Sequence, residues 1–185
     1  LARFNERFKD KTGRDGIKIN APEYFLGANI EETPHGTCVS ARAYVTQLAQ
    51  RYLPKPLEEY PTFSVPCTKD LLAAYDDALT RRDTLPKAQC EAYASKCGAA
   101  IFAGPTARFD CLYGLGVCAR TLTFPTAKMD ECLDRIIAYM AQTSTRGVSL
   151  PGNTTGYEVY SDSDWHVNHS TTGAVHTLDG RSVHA

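Results

Sequence analysis

Downstream of Pro125 the side chains Met129, Leu133, Ile136, Ile137 and Met140 fall at i, i+4, i+7, i+8 and i+11, the spacing of one face of an α-helix. Nothing else in the 185-residue chain constrains the fold as tightly, because an apolar stripe is stable only when other elements cover it. The pattern predicts a helix capped by Thr126, with Asp130 and Glu131 in its first turns, where the N-terminal dipole favours carboxylates. Its expected partners are the two helical segments before it, over residues 87–102 and 109–122. The second of these is weakened by Gly114 and Gly116, at about 1 kcal/mol each relative to alanine.

Toward the N-terminus the periodicity changes. Residues 1–20 are polar and interrupted by glycine, with a short helix predicted over 2–11. Tyr24, Leu26, Ala28 and Ile30 alternate with their neighbours, as in a half-buried strand. Thr33-Pro34-His35-Gly36 supplies turn chemistry, and Thr37-Cys38-Val39 returns as the second strand of a hairpin. Ser40 stands as the expected N-cap of a helix over 41–52, whose apolar stripe is Tyr44, Val45, Leu48 and Tyr52. Pro54, Pro56, Pro61 and Pro66 then rule out a continuous helix or a central strand. An extended segment crossing the surface is expected there, with helical pattern resuming near Thr68.

Residues 147–156 read as a Gly/Pro/Asn/Thr loop, and a boundary is placed at this loop. Beyond it, residues 157–162 alternate, residues 172–178 read as a second strand, and Asp179-Gly180 is a two-residue hairpin signal with 181–184 returning. Three strands in roughly 30 residues enclose little core, so this sheet needs something to dock on. The expected class is α+β: an N-terminal β-hairpin and helix, a three-helix region, and a truncated β-sheet at the C-terminus.

Composition supports an ordered protein. Apolar residues make up 43% and charged residues 22%, the balance of a globular chain, and no window approaches the ~18 apolar residues of a membrane span. There are seven cysteines but no CxxC pair, which sets aside zinc-ribbon and thioredoxin chemistry. Cys90 and Cys97 are seven apart, as are Cys111 and Cys118; that spacing returns to one helix face and suits small core positions in a reducing compartment. An intracellular location, cytoplasmic or nuclear, follows as the expectation. The net charge of −1 does not mark a nucleic-acid binder, yet it is unevenly spread. Arg3, Arg7, Lys9, Lys11, Arg14 and Lys18 face only Glu6, Asp10 and Asp15 near the start, and Glu158, Asp162, Asp164 and Asp179 face only Arg181 near the end. A basic start suits phosphates and an acidic end suits a cation; solvated surface explains both equally well. With no initiator Met and no secretory signal at the start, an internal start is expected, as in a fragment or a processed product.

The most informative run is Tyr160-Ser161-Asp162-Ser163-Asp164-Trp165, followed by Ser170-Thr171-Thr172-Gly173. Alone it reads as an Asp-rich turn. Four other elements stand in order before and after it: Tyr24-Phe25-Leu26-Gly27 with Ile30, Gly36, Val39-Ser40, Tyr44-Val45 and Leu48; Tyr93, Gly98 and Thr106-Ala107-Arg108-Phe109-Asp110; Pro125-Thr126 with Arg135, Ile136 and Tyr139; and Leu178-Asp179-Gly180-Arg181-Ser182-Val183. Together, over residues 23–185, they resemble the Pol polyprotein of Ty1/Copia-type retrotransposons, from the end of the reverse transcriptase into the start of ribonuclease H. The resemblance implies a thumb/connection-like region over 1–146 and the N-terminal strands of a truncated ribonuclease H-like domain over 157–185. It implies Mg²⁺ as cofactor, with Asp162 as one catalytic carboxylate and Asp164 as a neighbouring metal ligand. It also implies an RNA–DNA hybrid or DNA as partner, with Arg3, Arg7, Lys9 and Lys11 as nucleic-acid contacts on the ground of charge.

Departures from the pattern bear on activity. Phe109 stands where that family usually has Pro. The Tyr-x-Asp-Asp turn of the polymerase is absent, and Tyr75-Asp76-Asp77, downstream of Tyr24-Phe25-Leu26-Gly27, reads as a surface pair. The later ribonuclease H carboxylates are expected beyond Ala185. One aspartate cannot hold two metal ions, so the piece is expected to be inactive alone. Asp164, His166 and His169 could be drawn as a transition-metal site, but His166 and His169, three apart, stand in no helical pattern and have no evident partner to orient their rings; Trp165 is expected to pack on the hairpin. A second reading, from another class, makes the chain a non-catalytic retroelement-derived scaffold or small subunit of a larger protein assembly; the incomplete active sites, the missing Met and the near-neutral charge favour it, and a partner buried against Met129, Leu133, Ile136 and Met140 would support it.

Overall fold

The hydroxyl of Thr126 accepts a hydrogen bond from the Met129 N–H at 3.3 Å and starts the helix that the stripe predicts. In the computed structural model, which describes residues 23–34, 36–81, 83–152, 156–164 and 171–184, that helix runs over Ala127–Gln142. It is the fifth α-helix among the described residues, after α1 (Arg42–Tyr52), α2 (Lys69–Arg81), α3 (Lys87–Ala107) and α4 (Leu112–Ala119), and is called α5. All five stripe residues are fully buried, but so are Ala138 and Tyr139 on other faces. The helix is a central pillar, not a one-faced cover. Its closest partners are α1 and α2, with α3 and α4 completing the ring. The two preceding helical segments are therefore only part of its cover, and the helical region is larger than three helices.

The segment 53–66 does cross the surface in extended form, with one 3-10 turn at Leu57–Glu59. It is tied to the end of α5 by Gln142, whose Oε1 accepts from the Phe63 N–H at 3.0 Å and whose Nε2 donates to the Pro61 carbonyl at 2.9 Å. The Arg135 guanidinium lies over the Phe63 ring at 4.2 Å, a cation–π contact. Tyr75-Asp76-Asp77 sits within α2: Tyr75 is buried, and Asp77 pairs with Arg81 at 2.7 Å. Helix α3 continues past residue 102 and through Pro105, although the proline has no N–H to donate to the carbonyl four residues earlier. The segment 109–122 divides into a 3-10 turn, Phe109–Cys111, and α4.

At the N-terminal end the alternation of Tyr24 to Ile30 is interrupted. Leu26 and Gly27 both have positive φ, 49° and 85°, as the two central residues of a tight hairpin require. The run is thus two strands, β1 (Tyr24–Phe25) and β2 (Ala28–Thr33), followed by β3 (Gly36–Ser40). Ser40 does not cap α1; the cap residue is Ala41, without a side-chain bond, and Asn29 of β2 accepts from the Ala43 N–H at 2.9 Å instead. Part of the expected loop 147–156 is strand β4 (Gly147–Pro151), antiparallel to β3 in a sheet ordered β1-β2-β3-β4. Pro151 and Gly147 hid it, since both residue types are unfavourable in strands. Gly36, opposite Pro151, has φ +126°, and a Cβ there would lie 2.0 Å from the Leu150 carbonyl oxygen. Only glycine lets the two backbones approach in this way.

The second sheet matches its expected strands: β5 (Tyr157–Asp164), β6 (Thr171–Leu178) and β7 (Arg181–His184), ordered β5-β6-β7. It abuts the first at β4 and β7, where an Arg181 Nη1–H donates to Ser149 Oγ at 3.1 Å, and Val183 packs on the helical core.

Beneath this junction lies Arg108, 1% exposed. It donates to both carboxylate oxygens of Asp110 at 3.0 and 2.9 Å, to the Met140 carbonyl at 2.8 Å and to the Thr143 hydroxyl at 2.8 Å. Tyr139 completes the network by donating to Asp110 at 2.9 Å. Burial pushes the Asp110 carboxyl up, but the hydrogen bonds and charge of Arg108 and the Tyr139 hydroxyl outweigh it, so it titrates below the ordinary carboxylate range. All seven cysteines are free thiols, and burial pushes the Cys97 and Cys132 thiols up to about 11.

Two stability predictions follow from this arrangement. Arg108→Met leaves Asp110 partly buried with only the more distant Arg146, at 3.9 Å, as a counter-charge, and urea denaturation at neutral pH is expected to show a loss of roughly 3 kcal/mol. Asp110 has a depressed folded pKa, so its stabilisation is complete above about pH 4 and is lost as the pH falls through the folded value. The difference between the two proteins should therefore shrink on acidification; a difference that grows would contradict the network. Gly36→Ala combines a positive φ with a backbone clash, and thermal melting should report a destabilisation of about 2 kcal/mol or more.

Candidate functional site

Strand β5 carries the candidate carboxylates. Its Tyr157 and Val159 alternate with polar neighbours, and it pairs along its whole length with β6, Asp162 opposite Gly173 and Asp164 opposite Thr171. Asp162 is exposed near the end of the strand. Its Oδ1 accepts from the Ser163 N–H at 2.9 Å. Asp162 lines a cleft of about 550 Å³ between the sheet and the helical part. The opposite wall is formed by Phe109, Leu112 and Tyr113, with Gly116 and Arg120 further along α4. Tyr160 and Tyr113 are both more than half exposed at its mouth. The cleft is mostly apolar with one acid and one guanidinium, a composition suited to holding a flat or amphipathic group.

The backbone of Asp164 is placed by its pairing with Thr171, while its side chain lies outside the described residues. Arg3, Arg7, Lys9 and Lys11 lie outside them too, as do Trp165, His166 and His169. Among the described residues no three His, Cys, Asp or Glu side chains converge as a metal site would require. Paired Mg²⁺ ions need several oxygen ligands each. The described residues offer one candidate in Asp162 and do not by themselves fit the pair.

Two charged clusters escaped the sequence reading. One is Arg108 with Asp110. The other is Lys96, buried on α3, whose ammonium lies 2.6 Å from both Asp130 and Asp134 of α5; only the Asp134 contact has hydrogen-bond geometry. Burial raises the Asp134 carboxyl above its ordinary value, and Lys96 offsets this only in part. The signal was present in the sequence, since Lys96 lies one turn from Tyr93 and one turn from Ala100 on the buried face of α3. The cluster sets one ammonium against two carboxylates and binds α3 to α5. Tyr93 has a similar role, donating to the Cys118 carbonyl at 2.8 Å and so holding the end of α4.

No protein-family profile matches the chain, and no solved structure matches it. In sequence it is similar to the "Retrovirus-related Pol polyprotein from transposon RE1" of Arabidopsis thaliana, with 29% identity over 143 residues. The similarity covers 77% of this chain and 9% of that relative, so the chain spans less than a tenth of the polyprotein it matches. This likeness supports an origin in a retrotransposon Pol polyprotein.

Proposed function

We propose that the chain is the stretch of a Copia-type retrotransposon Pol polyprotein that links the end of the reverse transcriptase to the first strands of ribonuclease H, and that it does not hydrolyse nucleic acid by itself. The observation that carries this reading is the similarity to a Pol polyprotein over 143 residues. The ordered motifs from Tyr24-Phe25-Leu26-Gly27 to Asp179-Gly180 support it, as does the exposed position of Asp162 at a strand end beside a cleft. In this reading the helical part holds an RNA–DNA hybrid through its backbone, with Arg3, Arg7, Lys9 and Lys11 as phosphate contacts. Asp162 contributes one ligand to a Mg²⁺ site whose remaining carboxylates are not among the described residues.

The alternative scaffold reading is favoured by the incomplete active sites and the near-neutral charge, and a partner seated on the stripe Met129, Leu133, Ile136 and Met140 would have added support. Each of these side chains is completely buried inside the chain's own core, so a partner could reach them only by unfolding α5. Among the described residues no helix is long and apolar enough to cross a membrane.

Incubation of the purified chain with a labelled RNA–DNA hybrid and Mg²⁺ is expected to give no cleavage above background, in the parent or in Asp162→Asn. Cleavage that depends on Asp162 would overturn the claim of inactivity. Hybrid binding should weaken steeply with salt. Changing Arg3, Arg7, Lys9 and Lys11 together to Ala should flatten the log–log salt slope by roughly 3. An unchanged slope would remove these four residues from the interface.

A further inference from the structure

A two-residue loop at Asp179-Gly180 would place His176 opposite Val183 if the β6–β7 ladder ran regularly. It does not: Leu178 pairs with Arg181 and Thr177 with Ser182, then a register shift makes His176 the partner of His184. Val183 is the extra residue of this bulge and packs against the helical core. Bulges commonly re-aim a side chain; here the two imidazoles become direct cross-strand neighbours, with ring centres 5.3 Å apart and planes tilted by 55°.

We propose that His176 and His184 form a binding site for one borderline divalent transition ion, of the Zn²⁺ or Co²⁺ type, a site independent of Asp162 and of the function proposed above. Imidazole is the usual ligand for such ions. Two imidazoles sharing a tetrahedral ion at ~2.1 Å per metal–nitrogen bond have ring centres roughly 5 Å apart. The observed ring-centre spacing of 5.3 Å meets that requirement. Tyr157 supplies the next layer, since its hydroxyl is hydrogen-bonded to His176 Nδ1. When that nitrogen carries the proton and donates to the phenol oxygen, Nε2 presents its lone pair outward, the arrangement in which ligand histidines are generally held. Phe109 closes one side, its ring edge-on to His184 at 6.5 Å. Among the described residues no third His, Cys, Asp or Glu joins the pair, so water fills the remaining positions and the site is open.

Co²⁺ added to the full chain tests this, because its absorption spectrum distinguishes nitrogen from sulfur ligation and so separates this site from the free thiols. One ion per chain is expected, with ligand-field bands and no sulfur charge-transfer band. His176→Gln and His184→Gln should each weaken binding tenfold or more, and Tyr157→Phe about tenfold. Both histidines lie at the sheet surface, but a direct measurement on the unmutated protein guards against misfolding: Zn²⁺ should shift the imidazole NMR signals of His176 and His184 together. Binding that survives either His→Gln change, a spectrum accounted for by thiolate, or unshifted imidazole signals would each overturn the proposal.

Discussion

A guanidinium sealed almost completely from solvent is tolerable only if every donor finds a partner and its charge is matched. Arg108 meets both conditions with groups from separate parts of the chain: Asp110 from the turn that follows α3, and the Met140 carbonyl and Thr143 hydroxyl at the end of α5. One residue therefore terminates two helices. It occupies the α5 carbonyls that have no partner within the helix, and it adds a cation where the helix dipole favours one. Arg146 donates to the Tyr139 hydroxyl at 2.6 Å immediately before β4 begins, so the same cluster fixes where the first sheet receives its last strand.

From that cluster the architecture can be followed outward. Helix α5 ends against Arg108 and begins beside Lys96, so its two ends are held to α3 and its following turn by charge, while its middle is held on all sides by packing. Apolar burial supplies most of the stabilisation in such a pillar but has no direction. The two ionic clusters set its rotation and its depth. The Pro-rich crossing closes the outside through Gln142 and Arg135, both on α5.

What the sequence made legible was what local chemistry decides. The α5 stripe and its Thr126 cap, the extended run of prolines and the Asp179-Gly180 hairpin each follow from periodicity or from a residue's own φ preference. What it hid was decided by distant partners. Asn29 caps a helix that begins 13 residues later, and β4 looked like a loop because its glycine and proline make sense only beside β3. Leu26 resembled a strand residue by alternation, yet the hairpin places it at φ 49°. At the candidate site, Asp162 was visible from its run of neighbours. The opposite wall of its cleft, from α4, was not, since nothing local joins Tyr113 to Tyr160. The pairing of His176 with His184 was masked for a related reason: a bulge changes register by one residue, and the loop sequence does not encode it.

That bulge also explains how a three-stranded ribbon comes to hold a fixed position. The sheet β5-β6-β7 buries few of its own side chains, and β5 is exposed at every residue whose side chain is described. Such a ribbon has little stability of its own. Its attachment includes β7: the half-buried Val183 packs against the core, Arg181 reaches Ser149 of β4, and His184 meets Phe109. Asp162 stands two strands from this anchor and is joined to it through the β5–β6 and β6–β7 ladders. The position of the carboxylate relative to the cleft wall is therefore set by the Val183 bulge and the turn at Phe109. A regular ladder would instead set Val183 opposite His176, in the place that His184 now holds beside Phe109.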